Sequence, residues 1–214
     1  MPTVIPIHNN TIQYKNRIPG ILGGQLHKAP TFLINFRFPW GILVLYFEVP
    51  AKLAPYLHND DNSTASPPPS TDDGEETFSN AERTLAKFFQ APTSEKNASL
   101  KLIPYIAEGP WIVRNMVTGT PAIIGKKLPV TYTSGYIPSS SSSSSKVPYL
   151  EADLDVGNSS STARRIVSVC RRYMSTLTLD VGFVIQGNTP EELPEQMMGS
   201  IRVHGVDPTK APTI

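Results

Sequence analysis

From Thr31 to Phe38 every second residue is apolar: Phe32, Ile34, Phe36 and Phe38 share one side, with Asn35 and Arg37 on the other. That period of two predicts a strand with one dry face. Pro39-Trp40-Gly41 interrupts it, and residues 42–49 form a second, more uniformly apolar run. The two read as an antiparallel hairpin whose second strand is the more buried.

The same alternation returns at Leu150, Ala152, Leu154 and Val156, set against Glu151, Asp153 and Asp155. It predicts a half-buried strand whose acidic side is wet. From Ser161 the period changes. Apolar residues fall at Ala163, Ile166, Val167, Cys170, Tyr173, Met174 and Leu177, the spacing of an amphipathic helix over 161–176. Leu177, Leu179, Val181, Phe183 and Ile185 then return to period two and predict a strand. Thr189-Pro190-Glu191-Glu192 is a helix start, with a capping threonine and proline at the first position, and predicts a short helix to Met198 before a last strand over 200–206.

The middle of the chain is less regular. Asn80 is a candidate cap for a helix to Phe89, with Ala81, Leu85, Phe88 and Phe89 on one side. A short apolar piece follows, then a turn at Glu108-Gly109-Pro110, a predicted strand over 111–117 and further strand-like pieces. The lead-in 1–30 is irregular, and 58–79 and 138–147 are low-complexity. Patterned segments resume on both sides of each, so they read as insertions into one domain spanning 1–214.

Composition adds mainly exclusions. The chain has 214 residues and a net charge of +1, with no polybasic tail, so no nucleic-acid partner is expected. Proline is 21 of 214 residues, about twice the usual share. Cys170 is the only cysteine, which excludes an intramolecular disulfide and a cysteine-based zinc cage. Residues 1–16 lack the apolar stretch of a secretory signal, and no apolar run is long enough to span a bilayer. An intracellular, cytoplasmic protein is expected, peripheral where it meets membranes.

Candidate chemistry is sparse. Asp153 and Asp155 lie one residue apart before Gly157 and three serines, a run that could hold a metal or a phosphate. The same residues are explained as the wet side of a strand followed by a capped helix, and no metal or cofactor is assigned. The segment Gly119–Lys127 has five residues between its glycines and a lysine where a phosphate loop needs serine or threonine, so it is rejected. Cys170 falls on the apolar side of its helix, where an inert thiol is expected. His8, His27, His58 and His204 are scattered, and no G-x-S-x-G, H-E-x-x-H or G-x-G-x-x-G occurs. No catalytic residue is assigned. The helix from Ser161 stands apart, because its polar side carries Arg164, Arg165, Arg171 and Arg172. Such a face can meet an anionic membrane or a partner, or it can be a solvated surface.

Three stretches, "LKLIPYIAEGPWIVRNMVTGTPAIIGKKL", "YLEADLDVGNSSSTARRIVS" and "TLDVGFVIQGNTPEELPEQMMGSIRVHGVD", together resemble the C-terminal domain of the plant enhanced disease resistance 2 family. The resemblance is good over 99–207, weaker over 32–52, and lost in 1–27 and 58–79. It implies a plant, algal or protist protein. In larger relatives this domain follows a pleckstrin-homology domain and a lipid-transfer START domain, neither of which fits within this chain. The family offers no catalytic set to carry over. Relatives have a more apolar, glycine-containing helix where this chain has its four arginines, so no role of that helix is implied.

The expected fold is α+β: a curved, largely antiparallel sheet, with a mixed one left open, packed on the helix 161–176 and shorter helices. The expected function is a non-catalytic, regulatory domain in signalling that binds lipid or an apolar ligand or associates with membranes. The strands of 32–49 and the helix from Ser161 would wall a pocket, with Phe36, Phe38, Trp40, Trp111, Arg164, Arg165, Arg171 and Arg172 as candidate ligand- or membrane-binding residues. The alternatives are a protein-interaction scaffold without ligand and, more remotely, a metal-dependent hydrolase.

Overall fold

The computed structural model describes residues 3–5, 29–58, 78–138 and 146–210, with 3–5 and 137–138 by backbone alone. Among them, nine strands form two sheets. The first has the order β1-β3-β2-β7-β6, from β1 (Thr3–Ile5), β2 (Thr31–Phe38), β3 (Gly41–Glu48), β6 (Val130–Pro138) and β7 (Lys146–Asp155). The second has the order β5-β4-β8-β9, from β4 (Leu100–Glu108), β5 (Ala122–Ile123), β8 (Thr178–Ile185) and β9 (Met197–His204). The described residues also form four α-helices: α1 (Asn80–Gln90), α2 (Thr93–Ser99), α3 (Trp111–Met116) and α4 (Ser161–Tyr173). This is an α+β fold.

The β2–β3 hairpin forms as expected, with Phe38 opposite Gly41 across the turn, but its second strand is not the more buried of the two. The first sheet is mixed because β2 also runs parallel to β7, Asn35 lying beside Asp153. The second sheet is antiparallel throughout. The dry faces of the two sheets meet: Phe36 and Phe47 of the first pack against Phe183 of the second, at 6.3 and 5.6 Å between ring centres. Farther along β2, α1 takes over the cover, with Phe88 and Phe89 against Phe32 at 6.0 and 5.7 Å.

Four local expectations are corrected. Residues 111–116 form helix α3, not a strand. Helix α2 was not anticipated. The helix start at Thr189 yields only a 3-10 turn, Pro190–Glu192, before the chain extends into β9. Ser79, not Asn80, caps α1: its hydroxyl accepts from Glu82 N–H while the Glu82 carboxylate accepts from Ser79 N–H. The low-complexity stretches lie almost wholly outside the described residues.

The largest correction concerns the acidic side of β7. Glu151 and Asp153 are 7 % and 4 % exposed, and Asn35 beside them 1 %. This face of the first sheet is buried too, with Leu33, Ile42 and Val44 forming a second apolar cluster next to the acids. Alternation predicted a wet face because it assumes that only one side of a sheet is covered. Here the amide offsets part of the cost: Asn35 Nδ2 donates to Asp153 Oδ1 at 2.6 Å and to Glu151 Oε1 at 3.1 Å. Burial pushes the Tyr46 hydroxyl up to about 12, with the Glu151 charge adding to the effect.

Candidate functional site

The turn after β7 decides where α4 sits. Asp155 Oδ1 accepts from Asn158 N–H at 3.1 Å and Oδ2 from Asn158 Nδ2 at 2.8 Å, which folds the chain back on itself. Val156 N–H donates to Arg37 O at the end of β2, tying this turn to the hairpin tip. Ser160 then caps α4 by accepting from Ala163 N–H. Asp153 and Asp155 are thereby committed to different tasks, one inside the sheet and one in the turn.

The tie to β2 brings three sequence candidates and one arginine into a row. Phe36 and Phe38 stack with ring centres 6.0 Å apart, Phe38 and Trp40 stack at 4.7 Å, and the Arg171 guanidinium lies 5.2 Å from the Trp40 ring centre. The row runs from the core, where Phe36 meets Phe183, to the surface of α4. The row lies between the hairpin and α4, where a pocket was expected. A cleft of about 250 Å³ does exist, but it lies at the start of α1, lined by Leu53, Leu85, Ile185, Glu192, Met197 and Met198, and neither the hairpin nor α4 contributes.

The apolar side of α4 is also occupied. Ile166, Val169, Cys170 and Tyr173 pack on Ile106, Val113, Val117 and Leu177, so the helix rests on α3 and the end of β4. Burial pushes the Cys170 thiol up to about 11, as an inert core thiol requires. The protein itself thus partly covers the apolar side of α4. What α4 offers outward is the opposite side, with Arg164, Arg165, Arg171 and Arg172 all exposed. Among the described residues none of them has a carboxylate partner.

Trp111 is not part of the stacked row. It stands at the first turn of α3, which packs on α4, and is 73 % exposed, with Ile112 beside it at 43 %. Gly109 makes this placement possible: its φ is +146°, and a Cβ there would lie 2.4 Å from Leu177 Cδ2. Arg114 is exposed on the same short helix.

Sequence reasoning singled out the α4 arginines and missed their setting. Residues 109–150 contain Arg114, Lys126, Lys127 and Lys146 and no acidic residue; residues 156–179 contain four arginines and none. Lys127 O accepts from Ser160 N–H, so the Lys126-Lys127 turn adjoins the start of α4. A net charge of +1 concealed this segregation, and a count of charges by segment would have found it. Among the described residues no group of three or more His, Cys, Asp and Glu could hold a metal. No helix among them is long and apolar enough to cross a membrane.

Comparison with known proteins gives one family, whose model, described as "Protein ENHANCED DISEASE RESISTANCE 2, C-terminal", matches residues 7–207. The match reaches well into the lead-in, where the resemblance read from the sequence had stopped. A similar curated protein is "Protein ENHANCED DISEASE RESISTANCE 2-like" of Arabidopsis thaliana, 36% identical over 125 residues. That stretch is 58% of this chain and 16% of the relative, so the chain corresponds to a small part of it. No solved structure matches.

Proposed function

From the premise that this chain belongs to the family of the C-terminal domain of Protein ENHANCED DISEASE RESISTANCE 2, we propose that it is a non-catalytic, membrane-associating regulatory domain. Its ligand is the anionic surface of a bilayer. The observation that carries this reading is the exposed Trp111-Ile112 pair on α3, a helix packed on the apolar side of α4, together with the exposed arginines on the opposite side of α4.

The physical division of labour is direct. Each basic side chain near an anionic leaflet contributes about 1 kcal/mol. The arginines of α4, with Arg114 and the Lys126-Lys127 turn, supply several such terms without an acidic neighbour in sequence to cancel them. Tryptophan favours the headgroup region, where its ring is half in hydrocarbon and its N–H stays wet. Arg171 keeps its charge while stacked on Trp40, which holds that end of the helix against the hairpin. The setting beside lipid-handling modules, implied by the resemblance, agrees with this reading. An enclosed lipid pocket is not part of it, because the reading rests on exposed side chains.

Co-sedimentation with vesicles tests the reading. The protein is expected to pellet with phosphatidylcholine vesicles containing phosphatidylserine and to stay in solution with pure phosphatidylcholine. An Arg164→Glu/Arg165→Glu variant is expected to lose roughly tenfold or more in affinity for the anionic vesicles, with an unchanged melting temperature. Equal binding by wild type and variant, or no binding by either, overturns the membrane reading in favour of a protein-interaction domain.

A further inference from the structure

The polar side of α4 has a centre, and it is a serine. Ser168 is exposed, as are Arg164, Arg165, Arg171 and Arg172. The four arginines stand four and three residues before it and three and four after it. On a helix those offsets are the nearest surface neighbours, with Cβ atoms about 5–6 Å away. Ser168 is thus a short side chain with four arginines as its nearest helix-surface neighbours, the Arg171 guanidinium resting on Trp40. No carboxylate on α4 competes for them, since residues 156–179 contain none.

We propose that Ser168 is a phosphorylation site for a serine kinase that selects basic sequences, and that its phosphate switches off the arginine face. The segment Arg164-Arg165-Ile166-Val167-Ser168 presents arginines three and four residues ahead of the acceptor, which a kinase with an acidic substrate groove reads by charge. The phosphoryl group passes from ATP to Ser168 Oγ. The new bond is Oγ–P, the bond broken joins the γ-phosphorus to the bridging oxygen of ADP, and the serine proton leaves to the kinase base. A kinase needs its substrate opened out, and α4 is suited to that because it has no fully buried side chain.

Once attached, the phosphate carries close to two negative charges and three acceptor oxygens. It lies within helical reach of all four arginines, and guanidinium pairs phosphate bidentately. Two of the four charges are neutralised, and the guanidinium groups turn inward to the phosphate instead of outward. The regulatory half of this proposal rests on the membrane reading above; the modification half does not.

The test treats the full chain with the catalytic subunit of a basophilic serine kinase and ATP, followed by peptide mass spectrometry. Phosphate is expected at Ser168 and is expected to be lost in Ser168→Ala and strongly reduced in Arg165→Ala. Absence of phosphate at Ser168 in the wild type overturns the site. The phosphorylated protein is expected to bind phosphatidylserine-containing vesicles roughly tenfold or more weakly than the unmodified protein, while Ser168→Ala binds as wild type. Equal binding with and without confirmed phosphate overturns the switch. Phosphorus NMR provides an arm independent of membranes: held by arginines, the phosphoserine is expected to titrate below its ordinary second ionisation near ~6, and an ordinary titration overturns the arginine cradle. If the unmodified protein fails to bind vesicles, the membrane reading falls while the labelling and the titration still decide the site.

Discussion

Lys96 shows how a single side chain sets part of the stability of this domain. It is 7 % exposed, its ammonium donates to Ala91 O at 2.5 Å, and it lies 5.6 Å from the centre of the Tyr132 ring. Burial pushes its pKa down to about 8 from the ordinary 10.5. Below pH 8 the lysine is charged in both states, and the folded state bears the cost of burying that charge. Between pH 8 and 10.5 the folded chain has released a proton that the unfolded chain still holds, so this group adds stability as pH rises through that window. Cys170 and Tyr46, pushed up to about 11 and about 12, act oppositely and remove stability at higher pH. Lys96→Met separates them. It is expected to raise the unfolding free energy by about 1–2 kcal/mol at pH 7, with the gain vanishing near pH 10.5. Urea denaturation at pH 7 and above pH 10 checks this, and a gain that does not shrink would rule out the buried charge as its source. None of this was legible in the sequence, where Lys96 sits in a polar stretch that reads as surface.

At the scale of elements, what could be read depended on length and on which faces are covered. The β2–β3 hairpin and α4 were legible because eight and thirteen residues give a period time to declare itself. Helix α3 was not. Trp111, Ile112, Val113, Met116 and Val117 fit a strand as well as a single helical turn, and only the partners of Val113 and Val117, Ile106 and Leu177, decide for the helix. Helix α2 has no apolar stripe to show. The helix expected after Thr189 stops at one turn because Pro194 pushes Leu193 to an extended conformation, here ψ 152°. The turn that launches α3 has a sharper requirement. Gly109→Ala adds a side chain at positive φ and drives it into Leu177, and it is expected to cost about 2–3 kcal/mol. Equilibrium denaturation of that variant measures the loss; a change within error would mean that the turn relaxes at no cost.

The whole molecule is nearly neutral, yet its cations are gathered where its anions are not. Eighteen acidic residues balance nineteen lysines and arginines, but the acids fall outside 109–150 and 156–179. The fold joins those two stretches through the packing of α3 on α4 and the bond between Lys127 and Ser160. The individual candidates were legible in sequence; their assembly was not, because it depends on the turn at Asp155 and on the helix that replaced a predicted strand. This arrangement makes separable predictions for membrane binding. Charge attraction at a surface is screened within about 10 Å at 0.1 M salt, whereas burial of an indole ring is nearly indifferent to salt. Binding to phosphatidylserine-containing vesicles is therefore expected to fall steeply between low and high salt. Arg164→Glu/Arg165→Glu should flatten that dependence. Trp111→Ala should weaken binding at every salt concentration and leave the slope unchanged. If Trp111→Ala altered the slope as the arginine variant does, the tryptophan would be acting through the arrangement of α4 rather than by entering the headgroup layer. Wild-type binding that ignored salt would remove the electrostatic basis of the reading altogether.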